Sequence, residues 1–356
     1  MHTTYIAKTH LITAAGPNSL SNFYAYRAGI NTYQSANYHT ADHHQITLSL
    51  IPDGALLPLA EDLEDTDLSF RDERLLQMAS TGALDILAGH QGAPIPLIMA
   101  GPENYPGVDN QLPNQFLSLL RTQAELPILY SASRILCTGR TGMLEAIRLA
   151  QHYLQGGHFE QILIGGVDSC QHSKWLHALE RDGRLKSESP HGRADTFVPG
   201  EGIVFLLLTN NPVLAMSDKG YRITLSQPGF GEEPGHIYSE LPSQGKGLDT
   251  AVKAALSQLP EHLSISTVFS SMNGEHYWAK EFGVAMTRSS HRLINFKHEH
   301  PADCYGDLGA ATGGALITLA TLNCLKPSTP TTALVCTSSD SAYRAAICVI
   351  PERISA

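Results

Sequence analysis

Gly-Arg-Ala-Asp-Thr-Phe-Val-Pro-Gly-Glu-Gly-Ile-Val-Phe-Leu-Leu-Leu, residues 192–208, is the stretch on which the fold turns. Its first half is turn chemistry, a proline and two glycines around one glutamate. Its second half is an unbroken apolar run, and Ile203–Thr209 reads as a strand. A strand that is apolar on both faces belongs to a sheet covered on both sides.

Working outward, further strand-like runs lie at Tyr5–Ala14, Thr47–Ile51, Pro96–Ala100, Ile128–Tyr130 and Gln161–Gly165. Helix-like stretches fall between and after them, at Phe70–Ala88, Gln115–Gln123, Thr141–Leu154 and Ser173–Glu180. Asn210–Gly220 holds Asn-Asn-Pro and Asp-Lys-Gly, which are linker chemistry. The pattern then restarts. Strands are expected at Arg222–Ser226, Thr267–Ser271, Arg292–Phe296, Ala333–Thr337 and Ala345–Ile350, with helices at Leu248–Leu259, Tyr277–Met286 and Leu308–Cys324. Alternating strands and helices indicate an α/β chain with covered sheets. Two similar halves, 1–212 and 213–356, are the expected organisation. Thr141–Leu154 places Met143, Ala146, Ile147, Ala150 and Leu154 on one stripe, so something packs closely against it.

Composition narrows the function classes. Of 356 residues, 42 % are hydrophobic and 16 % charged, which excludes a disordered chain. The 24 basic and 34 acidic residues leave a net charge of −10, the wrong sign for a general nucleic-acid binder. No run is long and apolar enough for a membrane span. No basic segment followed by an apolar one opens the sequence, so a cytoplasmic protein is expected. The six cysteines form no C-x-x-C pair and read as reduced, mostly buried thiols. The histidine-rich stretches His39–His44 and Lys297–His300 lack helix-spaced or paired ligand geometry, so no metal is expected. The diglycines Gly156-Gly157 and Gly165-Gly166 are no dinucleotide loop, and no cofactor is expected.

Three segments are more specific: Cys-Thr-Gly-Arg-Thr-Gly-Met (137–143) leading through its helix into Gln161–Ser169, the stretch quoted above, and Tyr-Gly-Asp-Leu-Gly-Ala-Ala-Thr-Gly-Gly-Ala-Leu (305–316). Together they resemble the β-ketoacyl synthase branch of the thiolase-like superfamily. Phe23–Gly29 extends the resemblance to the N-terminal half, where the family carries an F-x-x-L-x-A-G element. The resemblance implies the thiolase-like duplicated five-layer α-β-α-β-α fold. It also implies a dimer, with the strand Gln161–Gly166 pairing across the subunit interface.

Where the sequence departs from the family, it departs at the chemistry. The family's nucleophilic cysteine stands at a set distance before the glycine that ends its helix, and counting back from Gly157 lands on Arg140. Its two histidines correspond to Asn273 and Asp307. Its Gly-Phe-Gly-Gly loop corresponds to Ser338-Ser339-Asp340-Ser341. Condensation needs a thiolate and donors aimed at a developing oxyanion. An arginine cannot supply the first, and an aspartate opposes the second. Arg140 and Asp307 are expected to pair inside the former pocket. Cys137, three residues ahead of Arg140, is the fallback nucleophile, and His276 is the histidine nearest the former catalytic loop.

The expected function is therefore that of a catalytically inactive ketosynthase-like protein that works by protein binding. The resemblance offers two contexts: a chain-length-factor-like partner of an active ketosynthase, and a scaffold or adaptor for type VI secretion effectors. The alternative is a residual acyltransferase or thioester hydrolase using Cys137. The implied partners are a second copy or a ketosynthase-like chain, an acyl carrier protein or a secretion effector.

Overall fold

A computed structural model describes residues 3–189, 193–289, 292–326 and 330–354. Gly192, which opens the quoted stretch, lies outside the described residues. Ten strands carry the architecture: β1 (Thr4–Thr13), β2 (Leu97–Ala100), β3 (Arg134–Leu136), β4 (Gln161–Asp168), β5 (Gly202–Thr209), β6 (Tyr221–Leu225), β7 (Ile265–Ser270), β8 (Lys297–Glu299), β9 (Thr332–Ser338) and β10 (Tyr343–Arg353). Five helices pack on them: α1 (Phe70–Leu87), α2 (Gly142–Gln155), α3 (Lys246–Leu256), α4 (His276–Arg288) and α5 (Thr312–Leu325).

The strands run β8-β7-β9-β10-β6-β1-β5-β4-β2-β3 in one sheet, with the short strands Ser217–Asp218 and Gly229–Glu232 added on β6 and β10. Each half repeats one plan. β1-β5-β4 and β6-β10-β9 are antiparallel, while β4-β2-β3 and β9-β7-β8 are parallel. The halves are joined edge to edge by β1 and β6, through Thr4 opposite Leu225 and Tyr5 opposite Thr224.

Three apolar interfaces make the layers. α1 and Phe116–Gln123 cover one face of the β1–β5 half, around Leu75, Leu76, Phe116 and Phe205. α3 and α4 cover the β6–β10 half, around Val252, Phe282, Leu334 and Cys348. Between the two sheet halves lie α2 and α5, sharing Met143, Ile147, Ala315 and Leu319 with residues of both. A helix enclosed on all sides should be apolar all round, and α5 is buried along almost its whole length. The close approach requires small residues: a Cβ on Gly166 would stand 2.9 Å from the Ala310 carbonyl oxygen and from Met143 Sδ.

The five-layer expectation holds, with several local corrections. Tyr130–Ala132 is a 3₁₀ turn, and the strand expected at Ile128–Tyr130 lies instead at Arg134–Leu136. Ile128 makes only one bridge, to Ile95, after Pro127 has removed a ladder donor. The strand expected at Arg292–Phe296 begins at Lys297, because Asn295 sits at φ +56°, off the extended region. The helix expected from Leu308 starts at Thr312, after Gly309 at φ +51° and one 3₁₀ turn. Ser19–Arg27 is a helix that the apolar pattern does not show, and the strand expected at Thr47–Ile51 lies at Gln45–Leu48, in a hairpin with Gln34–His39. The expected intersubunit strand is also wrong. Gln161–Asp168 is interior, bonded to β2 on one side and β5 on the other, so its ladder groups are already used.

Candidate functional site

Four connections meet where the two halves touch. The link from β3 to α2 makes a 3₁₀ turn, Gly139–Thr141, that carries Arg140. The segment after β7 carries Asn273, the turn before α5 carries Asp307, and the segment after β9 is Ser338–Ser341. Ends of parallel strands are the usual place for a site in such folds.

Arg140 is buried and fully engaged. Its Nε donates to both Asp307 oxygens, at 3.0 and 2.9 Å, and its Nη2 also donates to Asp307 Oδ2. Its Nη1 donates to Asp340 Oδ1 at 2.6 Å and to the Ser338 carbonyl at 3.5 Å. Asn273 Nδ2 donates to Asp307 Oδ2 at 2.9 Å. The three family positions Arg140, Asn273 and Asp307 thus converge, and the expected pair forms. Burial alone lowers a guanidinium's proton affinity, but Asp307 and Asp340 outweigh it and hold Arg140 well above its ordinary value.

A second arginine, not singled out from the sequence, completes the cluster. Arg184 donates to both Glu275 oxygens at 2.7 and 2.8 Å and to Asp340 Oδ2 at 2.6 Å. Burial works against the Asp340 carboxylate, yet Arg184 and Arg140 hold it well below the ordinary range. Tyr238 OH donates to Asp340 Oδ2 at 2.7 Å, and Trp278 Nε1 to Glu275 Oε2 at 2.9 Å. The Trp278 ring lies 5.2 Å from the Arg140 guanidinium carbon. Glu103 closes the far side, bonded to the Ser338–Ser341 loop, and burial with the neighbouring Asp340 pushes its carboxyl up to about 7. Two guanidiniums therefore face four carboxyl groups.

A cavity of about 400 Å³ opens on the Arg184, Glu275 and Tyr238 side of the cluster, and beside Arg140 lies one of about 50 Å³, lined by Glu103, Arg140, Asp168, Tyr238, Asp307 and Asp340 among others. That volume takes a few waters and is far below the ~300 Å³ at which small-molecule pockets begin. Its lining mixes Glu103, Arg140, Asp168, Asp307 and Asp340 with Tyr105, Cys170 and Trp175, and its size leaves no room for an acyl chain.

Cys137 is not among the residues that line this cavity. Burial raises its thiol above the ordinary value, the reverse of the electropositive setting a reactive cysteine needs. Arg140 does not supply that setting, its donors being committed to Asp307, Asp340 and Ser338. His276 opens α4 on the surface, its backbone N–H and ring bonded to Asp195 at 2.7 and 3.1 Å. Neither residue joins the Arg140 cluster. Among the described residues no group of three or more His, Cys, Asp or Glu side chains is placed to hold a metal, and no helix is long and apolar enough to cross a membrane.

Glu201, the acid of the quoted Pro-Gly-Glu-Gly run, lies outside the cavity and binds Arg74 through two 2.6 Å bonds. Glu103, Arg184 and Glu275 carry no sequence signal of their own. The indirect one is that a buried Arg140–Asp307 pair demands further partners.

Residues 137–212 match the family model "Beta-ketoacyl synthase, N-terminal domain". No curated protein matches the chain in sequence. A chain of the Xenorhabdus doucetiae ketosynthase in complex with its chain length factor superposes with TM-score 0.69 at 14 % identity, covering 98 % of each chain. The ishigamide ketosynthase/chain length factor gives 0.73 at 13 % identity, again covering 98 % of each. The ketosynthase from module 6 of the Bacillus subtilis bacillaene synthase gives 0.72 at 15 % identity, covering 98 % of this chain and 71 % of that one. At such identities the likeness is one of fold: this chain has the ketosynthase fold.

Proposed function

We propose that this ketosynthase-like chain is a non-catalytic subunit that acts by binding another protein. The observation that carries the reading is the bonding of Arg140. The position where the family keeps its nucleophile is filled by a guanidinium whose donors are taken by Asp307, Asp340 and the Ser338 carbonyl. No thiolate can form there, and the aspartates oppose rather than stabilise an oxyanion. The division into halves at 212/213 belongs to the same reading, as a duplicated scaffold that kept its packing and lost its chemistry.

The partner of first choice is a second chain of the same fold, either another copy or an active ketosynthase, in the manner of a chain length factor. Two of the similar structures pair a ketosynthase with such a factor, which supports the choice. β3 supports it too, since among the described residues it pairs with β2 alone and leaves one ladder edge open. The small cavity beside Arg140 favours the second reading, an adaptor for secretion effectors, because an adaptor has no need of space for a growing chain.

Two measurements test the proposal. Incubation with acyl thioesters, read by intact mass and thiol release, should give neither adduct nor turnover. A stable acyl adduct on Cys137 reverses the reading in favour of an acyltransferase or hydrolase. Co-expression with a ketosynthase that has an intact cysteine should yield a stable heterodimer on a sizing column. Failure there, with capture of an effector instead, assigns the adaptor role.

A further inference from the structure

Glu103 follows β2 and reaches across to the far half of the molecule, where its carboxyl group meets three donors of one loop. Oε1 accepts from the Asp340 backbone N–H at 2.7 Å. Oε2 accepts from the Ser341 backbone N–H at 3.1 Å and from Ser341 Oγ at 2.5 Å. Two consecutive backbone N–H groups turned to one point form a nest, a concavity that binds anions. The group is walled in as well as bonded. A Cβ on Gly139, which sits at φ +62°, would stand 2.6 Å from Glu103 Oε1.

We infer that the Ser338–Ser341 loop is a binding site for a small carboxylate, and that Glu103 is its built-in ligand, clamping this loop to the opposite half of the fold. The inference does not rest on the binding-subunit reading, since it concerns what holds the loop and not what the chain recruits.

The nest has supports of its own. Ser339 Oγ donates to the Thr138 carbonyl at 2.6 Å, and Thr141 N–H donates back to Ser339 Oγ at 3.1 Å. Arg344 Nη1 donates to the carbonyls of Ser339 and Ser341 at 2.8 and 2.6 Å. Asp340 is tied to Arg140 and Arg184. These bonds do not pass through Glu103, so the loop keeps its shape when that side chain is shortened. The vacated space then has the donors and the size for formate or acetate. The charged neighbours are Asp340, which repels an incoming anion, and Arg140, which attracts it.

Chemical rescue tests the assignment. Thermal unfolding of Glu103→Ala, Glu103→Gln and the parent chain is compared at pH 5.5, where most of the Glu103 contribution is retained, in sodium acetate and in sodium chloride of equal ionic strength. In chloride, Glu103→Ala should unfold about 4–8 °C below the parent. Acetate should restore at least half of that loss, saturably, in Glu103→Ala and in neither other protein, because the Gln amide still fills the nest. Equal gains in all three proteins reveal a general salt effect and overturn the inference. So does an unshifted Glu103→Ala, or one that acetate leaves unchanged. If Glu103→Ala folds in neither salt, Ser341→Ala decides, with the Glu103 carboxyl carbon followed by NMR. Loss of one donor to the carboxylate should raise its titration midpoint by about half a unit or more, and an unmoved midpoint overturns the inference.

Discussion

Two buried ionic clusters, one inside the N-terminal half and one where the two halves meet, are built on different terms. Around Arg74, one guanidinium meets Glu201 through both arms, with Asp53 and the Ile51 carbonyl on its remaining donors. Glu201 in turn accepts from Ser169 Oγ, Gln171 Nε2 and the Ile51 N–H. Because Asp53 is exposed to solvent, one buried guanidinium here meets one buried carboxylate. Around Arg140, two arginines face four carboxyl groups, one of which is pushed up to about 7, and a small polar cavity remains. Matched charges with full donors are what a scaffold needs. On the proposed non-catalytic reading, an excess of buried acid beside a small cavity is what remains when a pocket built for chemistry is filled by substitution.

The contrast breaks most readily at Arg74. Arg74→Met leaves Glu201 buried without its cation and should cost about 3–5 kcal/mol in denaturant unfolding. Arg140→Met should cost less, about 2–3 kcal/mol, because Asp340 keeps Arg184 and Asp307 keeps Asn273 and the Gly309 N–H. Equal losses at the two sites would erase the distinction between scaffold and filled pocket.

Acidity sharpens it. Glu103 holds its proton more tightly folded than unfolded, 4.5 being its ordinary value and about 7 the folded one. Its contribution to stability is therefore full below pH ~4.5 and lost as pH rises through ~7, an effect of up to about 2–3 kcal/mol. Asp340 runs the other way. Its folded carboxylate lies below the ordinary value, so its contribution is present above about pH 4 and lost only in stronger acid. Glu103→Gln should remove the pH 4.5–7 slope of the parent chain while leaving the acid limb in place. A slope unchanged in that variant assigns it to another group. Smallest of all, Cys137→Ser should change stability by less than about 1 kcal/mol, and heterodimer formation on the sizing column should not change.

Legibility differed by kind of residue. Arg140, Asn273 and Asp307 could be aligned because each stands beside glycines and apolar stripes whose spacing survives in the chain. Arg184, Glu275 and Glu103 stand in loops with no periodicity, and their partners lie 91 to 237 positions away in the sequence. The interior position of β4 was missed for a related reason. A run such as Gln-Ile-Leu-Ile-Gly-Gly-Val-Asp suits a buried strand, but which neighbours fill its two edges depends on chain crossovers, not on its own residues.

The low share of charged residues belongs to both accounts. From composition it implied covered surface, and the five layers supply that cover. Yet Arg71, Arg74, Arg140, Arg184 and Arg344 are all buried, so part of the scarce charge is spent inside. By itself the sequence determined the layered α/β plan and its repeat, because local patterns encode these, and the resemblance singled out Arg140, Asn273 and Asp307. Only the tertiary structure decided that these three meet in one buried cluster, whose six ionic members are Arg140, Arg184, Glu103, Glu275, Asp307 and Asp340. Buried charges take partners from whichever segments the fold brings within hydrogen-bond reach.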